Sequence, residues 1–224
     1  MSMKPDKKSD LNKNWIKKRI DRHIPLEPEY HLIVTEGKKT EPLYFTGLRD
    51  DFNRLHHGRI SISIEGIGQG ANTLTLLERA QSIVSKSSNT YKHVWLVYDK
   101  DDFPKDDFDN TLYKCQALSE GGSSVIYHAL WSNECIEYWF LLHYESLDAA
   151  LHRSNYYPKL TKYLGSKYEK NREDIYEILK PNMKKAIDNA RRISENNKGL
   201  PPSQCTPGTA VYEIFDMLIS YLPK

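Results

Sequence analysis

Two short apolar runs restrict this chain more than any other feature: Leu32-Ile33-Val34 and Val94-Trp95-Leu96-Val97. Runs so apolar and β-branched are strands buried on both faces, the mark of a parallel sheet covered by helices on either side. Each run ends abruptly in carboxylates, Glu36 after the first and Asp99 and Asp101 after the second. In open parallel sheets ligands bind at the carboxyl ends of the strands. A glutamate on one strand end and a D-x-D on another are therefore placed to converge. Three carboxylates that close repel one another unless a cation neutralises them, and hard oxygen ligands favour Mg²⁺ or Mn²⁺. The pattern points to a metal site with phosphoryl-transfer or nuclease chemistry. Asp101-Asp102-Phe103-Pro104 is also good turn chemistry, so a simple polar turn stays open beside metal ligation.

The rest of the chain reads as alternating strands and helices. A strand over about 30–35 leads into a helix with Thr40 as N-cap and Pro42 near its first position. Ile60, Ile62 and Ile64 alternate with Ser61 and Ser63, the period of a half-exposed strand. Gly66, Gly68 and Gly70 form a turn, and Leu74, Leu77, Ala80, Ile83 and Val84 repeat at helical spacing. A strand at 93–98, a helix near 106–119 and a strand at Val125–Trp131 follow, then a helix capped by Ser132 or Asn133. This β-α order predicts a mostly parallel sheet between helices. Residues 1–26 read as a basic, flexible arm, 27–145 as the α/β core, and 146–224 as a Tyr/Lys-rich insertion followed by C-terminal helices. Pro181 marks a kink or a second helix start, Pro201-Pro202 and Pro207-Gly208 break the pattern, and Val211–Leu222 closes it.

Composition narrows the classes. No apolar run approaches the roughly 18 residues of a membrane span, and the Lys-rich start lacks the apolar stretch of a secretory signal. Cys115, Cys135 and Cys205 are odd in number and widely spaced, so neither a disulfide framework nor a zinc knuckle is indicated. The expectation is a reduced, cytoplasmic protein. Residues 1–22 carry eight Lys and Arg against three Asp, although the whole chain is only +2. A basic arm on a mildly acidic body suits nucleic acid, and a solvated leader equally.

Three motifs in order carry a family likeness. Glu36-Gly37-Lys38-Lys39-Thr40-Glu41-Pro42-x-Tyr44-Phe45, Asp99-Lys100-Asp101 and Ser132-Asn133-x-Cys135-x-Glu137-x-Trp139-x-Leu141-Leu142-His143 together resemble the RloB-like family. The core of that family is similar to a Toprim domain, the metal-binding module of topoisomerases, primases and the overcoming-lysogenization-defect nucleases. The likeness runs from about residue 30 to the C-terminus. It departs at Glu134, where a proline is common before the cysteine, which bears on loop geometry. The resemblance implies a phage-defence (abortive-infection) effector, encoded with an ABC-type ATPase and cutting tRNA, other RNA or DNA. It also implies that Glu36 serves as general acid/base and shares the metal, and that Glu137 binds a second metal or orients a ligand.

Lys38 and Lys39 suit contact with a phosphate or a leaving group, and plain surface lysines equally. Glu41 fits the dipole at the start of its helix better than metal ligation. Residues 153–172 interleave six Lys/Arg with four tyrosines, a composition that suits phosphate neutralisation and base stacking. Lys162, Tyr163 and Lys167 are its candidate substrate-binding residues, and Lys184/Arg191 and Lys185/Arg192 line a helix face that extends it. A solvated insertion is the plainer reading. Gly37-Lys38-Lys39-Thr40 lacks the upstream glycine of a P-loop, and Gly66-x-Gly68-x-Gly70 lacks dinucleotide-fold spacing. His56-His57 reads as solvated loop and His143 as packed in a helix. The leading expectation is a Mg²⁺- or Mn²⁺-dependent Toprim-like nuclease restrained by its ATPase, and a homo-oligomer is compatible with it. The alternatives are a non-catalytic binding module with the same acidic pocket, or a small-molecule phosphatase. In the last, D-x-D normally ends the first strand rather than the third.

Overall fold

The computed structural model describes residues 28–56, 59–68, 73–101 and 105–219. The expected basic arm, His57, Gly70, Asp102 and the end of the closing helix lie outside the described residues. Strands β1 (Glu29–Thr35), β2 (Ile60–Gly66), β3 (Tyr91–Asp99) and β4 (Ile126–Asn133) run parallel. Helices α1 (Thr40–Leu55), α2 (Thr73–Lys86), α3 (Lys105–Glu120) and α4 (Glu137–Leu142) follow them in turn. Then come α5 (Tyr156–Leu164), α6 (Ile175–Leu179), α7 (Met183–Asn196), a two-residue β5 (Gly208–Thr209) and α8 (Tyr212–Leu218). The five-stranded sheet has the order β2-β1-β3-β4-β5, with β5 antiparallel to β4. No described helix is long and apolar enough to cross a membrane.

The apolar runs are continuous because each strand feeds two cores. Successive side chains of a strand point to opposite faces. Ile33, Trp95 and Val97 pack on one side with Tyr44 and Phe45 of α1 and Trp139 and Phe140 of α4. Leu32, Val34, Val94, Leu96 and Tyr98 pack on the other, with Leu76 and Leu77 of α2 and Phe108 of α3. β2 is an edge strand, and its Ile60 and Ile62 are buried while Ser61 and Ser63 are half-buried, as the alternation requires. The C-terminal helices share the first core through Leu160, Leu179, Ile187 and Phe215. At its centre the Trp139 indole donates to the buried Tyr44 hydroxyl at 2.8 Å and stacks on Phe215 with centroids 5.4 Å apart.

Several local expectations change. Lys39, not Thr40, holds the N-cap position of α1, and no side chain caps it. The Thr40 hydroxyl donates to the Lys170 carbonyl at 2.9 Å instead. Ser132 and Asn133 end β4 and do not cap α4: Ser132 meets the Thr209 hydroxyl, and the Asn133 amide donates to the Pro202 carbonyl. Their true partners lie some seventy residues on, in the Pro-rich segment that supplies β5. Pro181 lies in a 3₁₀ turn, Lys180–Asn182, joining α6 to α7. His56 is buried against Phe52 rather than solvated.

Gly47 permits the close contact between α1 and α6. A Cβ there would lie 2.5 Å from the Tyr176 Cβ. Alanine normally favours a helix over glycine by about 1 kcal/mol. Here overpacking, typically about 1–3 kcal/mol, should win, so Gly47→Ala should lower stability in urea unfolding; a gain would contradict this packing.

Candidate functional site

The chain leaves β1 toward β2 and leaves β3 toward β4, on opposite sides. The connections therefore diverge between the carboxyl ends of β1 and β3, and the resulting crevice is where such sheets bind ligands. Glu36 and Asp99 stand at this switch point. The Glu36 amide continues the ladder by donating to the Val97 carbonyl at 3.0 Å, and the Asp99 amide donates to the Glu36 carboxylate. The Ile136 amide, at the entry to α4, donates to the Asp99 carboxylate. Asp101 adopts a left-handed φ of 36°, which aspartate tolerates better than most residues. Its amide donates to the Glu134 carbonyl at 3.0 Å.

Glu137, in the first turn of α4, is buried to 1 % exposure. One of its oxygens accepts the Tyr168 hydroxyl at 3.0 Å and faces the Lys170 ammonium at 3.8 Å. Glu41 also belongs to this group, contrary to its reading as a helix-dipole residue alone. Its carboxylate accepts its own amide and feels Glu137, Lys170 and Asp101. It packs where a Gly37 side chain would be, since a Cβ on Gly37 would lie 2.2 Å from it. That contact gives Gly37 its physical reason.

Electrostatics mark the group as unusual. Burial first, then Glu41 and Asp101, push the Glu36 carboxyl up to about 7. Burial and the charges of Glu41, Glu137 and Asp101 hold Asp99 well above the ordinary carboxylate range. Three buried carboxylate oxygens, Glu36 Oε2, Asp99 Oδ1 and Glu137 Oε2, have no protein hydrogen-bond partner. Buried acceptors are almost always satisfied, so an acidic group with three open oxygens fits a hard cation. Asp101 sits at the exposed rim, paired with Arg153 from the 3₁₀ turn Arg153–Asn155. Cys135, beside them, is driven up by burial and by Glu137 and Asp99 and stays a thiol.

The other sequence-predicted residues are more dispersed. Lys38 and Lys39 are exposed on the loop after β1, with Lys38 lying over Gly68. Lys162 is exposed on α5. Tyr163 stacks face to face on Tyr144, centroids 4.8 Å apart, and donates to Glu145, which also pairs with Lys159. Lys167 lines an open groove of about 550 Å³ with Tyr157, Pro158, Thr161, Tyr168 and Lys170. The cations of α7 are mostly engaged within the chain: Lys185 donates to the Tyr144 carbonyl, Arg191 forks onto Asp216 and Arg192 reaches Ser146.

Sequence reasoning passed over a second cluster, at the amino ends of the strands. Glu29, His31 and His93 bring three potential ligand atoms within 4.8 Å of one another. Hydrogen bonding explains it better than a metal. The Trp95 indole can only donate, and it donates to His31 Nδ1 at 3.2 Å. The neutral ring must then carry its proton on Nε2, which points at Glu29 at 3.1 Å. The nitrogen an ion would need is already a donor. Burial holds His31 down to about 4 and His128 down to about 3, consistent with neutral rings.

A family model described as RloB-like protein matches residues 31–218. The chain belongs to the RloB-like family. No curated protein and no solved structure matches it. In this RloB-like protein the matched span takes in Glu36, Glu41, Asp99, Asp101 and Glu137 and also Arg153, Tyr168 and Lys170, which reach them from the C-terminal half.

A pH prediction follows for the RloB-like protein without metal. Between the unfolded carboxylate value of 4.5 and about 7, the unfolded chain has lost the Glu36 proton and the folded chain retains it. The folded state binds more protons, so Glu36 withdraws stability as pH rises through that window and adds no further slope above it. The melting-temperature advantage of Glu36→Gln over wild type, in chelator, should be small at pH 4.5 and largest above 7. An equal difference at both ends would place Glu36 in ordinary solvent.

Proposed function

We propose that this protein is a divalent-metal-dependent phosphodiester hydrolase of Toprim-like design. In this reading it cuts tRNA, other RNA or DNA as the effector of an antiphage system, under restraint by a partner ABC-type ATPase. The observation that carries the chemistry is the convergence of Glu36, Asp99 and Glu137 at the switch point with three unsatisfied buried oxygens. The defence role and the ATPase rest on the family resemblance.

Mg²⁺ or Mn²⁺ held among Glu36, Asp99, Asp101 and Glu137 would polarise the phosphodiester and acidify water. The chain's own residues supply the rest. Glu36, which burial and its acidic neighbours raise to about 7 without an ion, would be the general acid/base, the role the family resemblance gives it. The Ile136 amide fixes the Asp99 carboxylate, and Arg153 fixes Asp101. Lys38 and Lys39, exposed on the loop after β1, would contact phosphate oxygens or a leaving group.

Two measurements test this. Mn²⁺ should raise the melting temperature of the wild type, because it binds the folded state alone. Asp99→Asn should be more stable than wild type without metal and should lose most of the ion's effect. In cleavage assays on tRNA, single-stranded RNA and DNA, with and without the ATPase, Asp99→Ala should lower metal-dependent cutting by at least about 100-fold, as expected when a metal site is disrupted. Ion binding with no cutting of any substrate would favour a non-catalytic binding module.

A further inference from the structure

Lys170 reaches the acidic group from far along the chain. The Thr40 hydroxyl donates to its carbonyl at 2.9 Å, which holds the loop after α5 on the first turn of α1, beside Glu41. From there the ammonium lies 3.8 Å from Glu137 Oε1 and 5.7 Å above the centre of the Tyr157 ring. Tyr157 stacks on Tyr168, whose hydroxyl bonds the same Glu137 oxygen. The side chain is about half exposed, so it is a cation at the mouth of the site and not a buried structural pair.

We propose that Lys170 supplies the second positive charge of this site, so that the acidic group takes one divalent ion rather than two. The inference rests on the metal-dependent reading above. An ion at Glu137 would have to enter beside the ammonium already facing that carboxylate, and like charges at such range repel strongly. With Lys170 on the Oε1 side of Glu137, the oxygens left open to an ion, Glu36 Oε2, Asp99 Oδ1 and Glu137 Oε2, offer one place shared by the two strand ends and the first turn of α4. Among the described residues, Lys170 faces Glu137 and Glu41, and Arg153 faces Asp101. At the mouth, the ammonium is also placed to meet a phosphate oxygen of a bound strand.

Mn²⁺ counting by electron paramagnetic resonance on the full chain tests this without any activity assay. Wild type and Lys170→Arg should each bind one ion, and Lys170→Gln should bind two. Tyr168→Phe, which removes the hydroxyl on Glu137 and keeps the charge, should still bind one. Two ions on wild type, one ion of unchanged affinity on Lys170→Gln, or a second ion on Tyr168→Phe would each overturn the proposal. The first two results leave the metal reading intact. Failure of wild type to bind any ion would remove both readings, and a matching loss in Asp99→Asn separates the intended site from adventitious binding.

Discussion

The cost of keeping carboxylates out of water at the end of a buried strand governs the rest of this molecule. An ionised carboxylate in a low-dielectric interior is expensive unless it is bonded and paired. Asp99 and one oxygen of Glu36 are held under cover, because Val34 and Val97, two residues before them, are locked into the two cores. The fold meets the cost in part, with one backbone amide on each carboxylate, from Asp99 and from Ile136. What remains shows as raised proton affinity and open oxygens. A cation has the charge and the oxygen preference to settle that remainder.

How much of this was legible in the chain follows from the range of each interaction. The strands and the pairing of Glu36 with the D-x-D could be read because a two-residue period and a carboxylate at its end are local signals. The order of crossovers then places both at one edge. Glu41 was legible as a helix-start residue but not as a member of the acidic group, since that depends on Gly37 making room for its carboxylate. β5 was not legible: two residues after a proline carry no period, and their pairing with Ser132 and Asn133 depends on tertiary contact. By sequence Lys170 belongs with the cations suited to nucleic acid, yet its ammonium faces Glu137. Charge composition records that a lysine is present and says nothing of which carboxylate it meets.

The histidines give the same lesson with the opposite sign. Spacing offered no metal motif among them, and the folded chain nevertheless gathers Glu29, His31 and His93. Proximity alone does not make a ligand set. One indole N–H on His31 settles the tautomer and turns a plausible ion cage into a hydrogen-bonded chain that ties β1 to β3.

The C-terminal half is therefore part of the site and not a separate attachment. Thr40 holds the Lys170 backbone, Tyr168 holds Glu137, and Arg153 holds Asp101 while its amide donates to Glu134 at 2.7 Å. These tethers cross from the loops of residues 151–172 to three of the loops at the sheet's carboxyl edge. They also divide the tyrosines and lysines by task. Tyr163 and Lys159 are held by Tyr144 and Glu145. Tyr157, Lys167 and Lys170 line the open groove, and two residues that line it, Tyr168 and Lys170, also face Glu137. A strand lying in that groove would meet aromatic rings and ammonium groups before its phosphate reached the carboxylates. Rings stack on any base and cations neutralise any phosphate, so under the proposed reading this approach would favour an unpaired backbone over a particular sequence.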